Sequence, residues 1–86
     1  MSPPRPLADI VLHELPDGEH ALSDTGRGRM LIVNDTGAAI WLLLDGVRDE
    51  GDIAHLLAAD VDVDAGTIER DVAAFVTELR EQGFLS

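Results

Sequence analysis

The hydropathy of this chain changes period once, at Asn34, and that change restricts the fold more than any single motif does. Before it, short apolar runs alternate with turn residues; after it, apolar residues recur at helical spacing. "DIVLHEL" (residues 9–15) reads as a strand, and "PDGEH" behind it carries the proline and Asp-Gly signals of a tight turn. "EHALSD" (19–24) is a weaker strand, "TGRGR" supplies two glycines for a hairpin loop, and "RMLIVN" (29–34) has the strongest strand character in the chain. Three short strands with hairpin-length gaps imply an antiparallel meander.

Three helices are predicted to follow. Asn34 or Asp35 can accept the free amides of the first, which runs through Ala38, Ile40, Leu43 and Leu44 for about three turns to a left-handed cap at Gly46. Asp49, with Asp52 three residues on, caps the second, whose apolar face is Ile53, Leu56 and Leu57. "DVDVD" (60–64) connects, Asp64 caps the third helix, and Ile68, Val72, Phe75, Val76 and Leu79 form its buried stripe before Gly83 ends it and "FLS" closes the chain. The predicted class is α+β, a three-stranded antiparallel meander followed by three helices, the outline of a winged helix-turn-helix with its wing first. Residues 1–8, with "SPPRP", are expected to be a flexible lead-in to one domain over 9–86.

Composition narrows the function classes. The absence of cysteine excludes disulfide staples, thiolate catalysis and thiolate-bound zinc, and fits a reducing cytoplasm. The N-terminus has neither a basic region nor a long apolar one, and no stretch approaches the ~18 apolar residues of a membrane span, so a cytoplasmic protein without a membrane partner is expected. Six arginines and no lysine stand against seventeen carboxylates, a formal charge of -11. Such a chain lacks the cations that neutralise phosphates, which argues against nucleic acid, and its surface suits a partner with a basic segment.

The stretches that look chemical do not hold together. "DVDVDAGTIERD" has acids at positions one, three, five and twelve of a calcium loop, but position six is Ala65 and position twelve is Asp71, where a glycine and a bidentate glutamate belong. His13, His20 and His55 have no metal-ligand spacing. Gly26 and Gly28 precede a strand, so they lack the helix amides that hold phosphate. Ser23 has no glycine-flanked nucleophile elbow, and pairs such as Glu14 with Asp17 or Glu69 with Asp71 have no apolar setting to split their pKa values. The expectation is a protein that is not an enzyme and uses no cofactor or metal.

Two apolar stretches remain. In the first helix Ile40, Leu43 and Leu44 share the core side, Trp41 lies on its flank and Leu42 points nearly opposite, so Trp41 and Leu42 are candidates for docking on a protein. "RMLIVN" places apolar side chains on both faces of a strand. At a sheet edge, its free N–H and C=O groups would template an added peptide strand; in the centre it would be ordinary sheet, and pattern alone leaves both open.

"LIVNDTGAAIWLLLDGVRDEGDIAHLLA" followed by "IERDVAAFVTELREQGFL" resembles the pyrroloquinoline quinone biosynthesis protein D family, recognition elements for ribosomally made, post-translationally modified peptides (RiPPs). The likeness includes the Asn34-Asp35-Thr36 turn, the Ile40-Trp41-Leu44-Asp45-Gly46 run, the Asp52-Ile53 helix start and the helix from Asp71-Val72 to Leu79 that ends at Gly83-Phe84-Leu85. It implies a winged helix-turn-helix that binds no DNA. A precursor's leader region would add as a strand beside the third strand, lie against the third helix, and be presented to a radical S-adenosylmethionine (SAM) protein, a cyclase or a leader peptidase. Carried onto this chain, the groove is Arg29, Met30, Leu31, Ile32 and Val33 on one side and Asp71, Val72, Phe75, Val76 and Leu79 on the other. Relatives that serve lasso peptides often carry aromatic residues where this strand has "RMLIV", so lasso peptide, quinone cofactor and other pathways stay open. The exposed edge is compatible with a monomer or a weak dimer. The second reading is a small winged-helix DNA-binding regulator, whose recognition helix would set Glu69, Asp71, Glu78 and Glu81 against only Arg70 and Arg80.

Overall fold

A computed structural model describes residues 4–60 and 64–85. Three strands, β1 (Ile10–Glu14), β2 (His20–Asp24) and β3 (Arg29–Val33), precede three helices, α1 (Asp35–Leu43), α2 (Glu50–Asp60) and α3 (Ala65–Gln82). The sheet is antiparallel in the order β1-β2-β3, with Leu12 opposite Leu22 and Leu22 opposite Leu31. β2 is therefore the central strand although its sequence is the least strand-like, and β3 lies at an edge. Pairing on both sides fixes β2 where local propensity does not.

The predicted turn and cap chemistry recurs in detail. Leu15 N–H bonds to Glu19 O and Glu19 N–H to the Asp17 carboxylate, which closes the β1–β2 turn. The Asn34 side chain accepts from Gly37 N–H at 2.7 Å and so caps α1. Asp49 and Asp52 each accept the other's amide, at 2.8 and 3.1 Å, a reciprocal box at the start of α2. Asp64 accepts from Thr67 N–H at the start of α3, and at its end Gly83 takes φ +79 while Phe84 N–H reaches Leu79 O and Gly83 N–H reaches Arg80 O, a Schellman closure.

Three expectations need correction. α1 ends at Leu43 with Leu44 extended, so Gly46 is not its cap; its positive φ instead serves the following turn, where Asp45 accepts from Val47 and Arg48 amides. Leu56 is exposed, and Ile53 and Ala54 carry the buried face of α2 with Leu57 partly covered. Over Pro4 to Leu7 the lead-in is tied to the body: Gly46 N–H bonds to Pro4 O, Pro6 bridges Leu85, and Leu7 N–H bonds to Phe84 O. The middle of the calcium-like stretch, residues 61–63, lies outside the described residues.

The core forms where one sheet face meets the helices. Ile10, Leu22 and Val33 point inward from the strands, and Ile40, Trp41, Ile53, Val72, Val76 and Leu79 meet them from the helices. Phe84 and Leu85, after the last helix, are also buried. Burial of about 25 cal/mol per Å² of apolar surface makes this layer the main source of stability. The other sheet face carries Val11, Met30 and Ile32, all exposed, as the period of two along each strand requires.

Candidate functional site

β3 alternates as its sequence predicts. Leu31 and Val33 face the helices, while Met30 (57% exposed) and Ile32 (47%) stand on the open face. With β2 on one side and no strand on the other among the described residues, every second residue of β3 directs its N–H and C=O outward. That edge is the feature that pattern alone left undecided.

Beside it lies a cleft of ≈ 300 Å³ between the start of α1 and α3, bordered by Asn34, Thr36 and Gly37 on one wall and by Asp71, Ala74, Phe75 and Glu78 on the other. Close approach favours Gly37 there: a Cβ at this position would stand 3.2 Å from Phe75 Cε1 and 3.2 Å from Val33 Cβ, so either neighbour would have to give by a few tenths of an ångström. A second cavity of ≈ 300 Å³, bordered by Glu19, Ile32 and Val33, shares Asn34 with the first and carries the depression to the end of β3. A smaller one of ≈ 230 Å³ runs between α1 and Leu57, Ile68 and Val72. His20 Nε2 lies 2.9 Å from Asp35 Oδ1 and fastens the first residue of α1 to β2 beside this depression.

The structure divides the sequence-derived residues into two sets. Met30, Ile32, Asp71 and Phe75 reach the open face or the cleft. Val33, Val72, Val76 and Leu79 are core, because α3 buries its stripe in the body and offers only the adjoining face to the cleft. The Arg29 side chain is also committed: it lies 3.5 Å from the buried Asp24 carboxylate, which Arg27 approaches at 3.7 Å, and stacks 5.2 Å from the centre of the Phe84 ring. Its backbone remains on the edge. Leu31 is partly buried against the core. Trp41, 7% exposed, belongs to the core and offers no docking surface, whereas Leu42 is 72% exposed as its wheel position predicts.

Asn34, Thr36, Gly37, Ala74 and Glu78 were not among the sequence candidates, yet they border the cleft. For α3 the signal was available: positions 71, 74, 75 and 78 share one helix face beside the buried stripe. The wall contributed by α1 could not be read, since it depends on how the capped first turn meets α3. Among the described residues no three His, Cys, Asp or Glu side chains converge as a metal site, and no helix is long and apolar enough to cross a membrane.

Residues 19–85 match the family model of coenzyme PQQ synthesis protein D (PqqD). Among solved structures the chain is similar to lasso peptide synthetase B1 complexed with the leader peptide, at 32% identity, TM-score 0.78 and 95% coverage of both chains. It is also similar to TbiB1 in complex with the TbiA(beta) leader peptide, at 26% identity, TM-score 0.78 and coverage of 95% and 94%. The solution structure of the PqqD truncation of Methylobacterium extorquens PqqCD, a stand-alone RiPP recognition element, matches at 25% identity with TM-score 0.81, over 96% of this chain and 87% of the other. No curated protein sequence matches.

Proposed function

This chain belongs to the PqqD family, and from that membership we propose that it is a non-catalytic adaptor that binds the leader region of a ribosomally made precursor peptide. The leader adds as a fourth strand along β3, and the side chains on its inner face enter the cleft against Phe75. The observation that carries this reading is the edge of β3, unpaired among the described residues, beside an open cleft on α3. Support comes from two neighbours of matching length whose structures hold a leader peptide.

The adaptor works in the cytoplasm and uses no cofactor of its own. The chemistry belongs to the enzyme that receives the loaded leader, a radical SAM protein, a cyclase or a leader peptidase. Leu42, exposed on the outer face of α1, is offered to that enzyme. With a formal charge of -11 the domain resists self-association and acts as a monomer or a weak dimer. Calorimetry with the leader half of a cognate precursor peptide tests the reading: saturable one-to-one heat at micromolar concentration is expected, and no heat at high micromolar concentration sinks it.

A further inference from the structure

On α3, Asp71, Phe75 and Glu78 stand at i, i+4 and i+7, so the wall of the cleft presents one ring between two carboxylates. Neither carboxylate meets a cation among the described residues, because every arginine is placed elsewhere. Arg27 and Arg29 are held at Asp24, Arg48 at Asp45 and Arg80 at Glu50. Arg70 turns back to Gly66 O and Thr67 Oγ1, and Arg5 lies over Gly46. There is no lysine in the chain. Glu19 and Asp35 continue the acidic lining toward the end of β3.

We propose that this groove selects leaders in which the apolar residue that reaches Phe75 is accompanied, two positions away on the same face of the added strand, by lysine or arginine. The inference rests on the strand-addition reading above and adds charge selection to it. The spacings agree: residues two apart on a strand are about 6.6 Å apart, and Asp71 and Glu78 are each about one helical turn, ~5–6 Å, from Phe75. A long basic side chain covers the remaining offset, with its stem on the ring and its head on a carboxylate. A leader with an acid at that position meets unbalanced negative charge instead.

The test pans a displayed library of random twelve-residue peptides on the domain and on the Asp71→Asn/Glu78→Gln double variant, then titrates synthetic copies of the recovered peptides into isotope-labelled domain. Both substituted side chains are exposed, so the variant's thermal transition is expected to match the parent's; should it not, the single variants replace it. Peptides recovered on the parent are expected to carry Lys or Arg two positions from an apolar residue and to shift the amides of β3. They should bind about two- to fivefold more weakly for each carboxylate removed, and more weakly in high salt. Peptides that shift β3 amides but show no basic enrichment, or that bind the variant equally, overturn charge selection and leave strand addition standing. Peptides that shift no β3 amide overturn both.

Discussion

Trp41 and Phe75 are both aromatic residues on helices that border the cleft region, yet they serve different ends. Trp41 is enclosed by the core, and Trp41→Ala should cost about 3–5 kcal/mol in a denaturant melt. Phe75 is only partly covered, resting on the space that Gly37 leaves, so Phe75→Ala should cost about 1 kcal/mol of stability while abolishing most of the calorimetric heat with a leader peptide. Equal losses of stability and binding at Phe75 would make it core. Asp45 gives a prediction in pH. The Arg48 and Val47 amides hold its carboxyl below the usual carboxylate range. Because the folded pKa is depressed, its stabilisation is complete above the unfolded value and is lost as pH falls through the folded one. The difference in melting temperature between the parent and Asp45→Ala should be present at neutral pH and shrink to nothing below that range.

At the scale of elements, the helix starts and the end of α3 were legible because each cap there is a local device, whereas Gly46 was misassigned as the end of α1. Asn34, Asp49 with Asp52, Asp64 and Gly83 act within four residues of themselves, so sequence spacing fixes them. The groove residues were legible only in part. The period of two along β3 separates Met30 and Ile32 from Leu31 and Val33, but the helical stripe on α3 contains both core and cleft-facing members, and only its neighbours decide which is which. The segment after α3 was not legible at all, since two apolar residues have no period. Phe84 and Leu85 nevertheless fill the core, and Leu7 and Pro6 pair against them. Deleting residues 84–86 should therefore cost more than ~4 kcal/mol and leave so small a domain largely unfolded by circular dichroism. A deletion that melts like the parent would show that this segment does not belong to the core.

The whole molecule is one layer of sheet against one of helices, with the open side of that arrangement at β3. The core covers the inner sheet face, pairing satisfies β2 on both sides, and the capped start of α1 keeps a cleft between itself and α3. Order and spacing of ordinary residues, rather than any rare motif, made the family visible in the sequence; the edge position of β3 and the commitment of Arg29 to Asp24 required the tertiary arrangement. A bound leader becomes the fourth strand of the sheet. An amide-resolved NMR titration of the domain with the leader half of a cognate precursor, followed by hydrogen exchange, tests it most directly. Strand addition predicts shifts concentrated on Arg29–Val33 and on the Asp71 to Glu78 face of α3, with new protection at alternate β3 amides. Binding that leaves those amides unshifted and unprotected, and moves the signals around Leu42 instead, would contradict it.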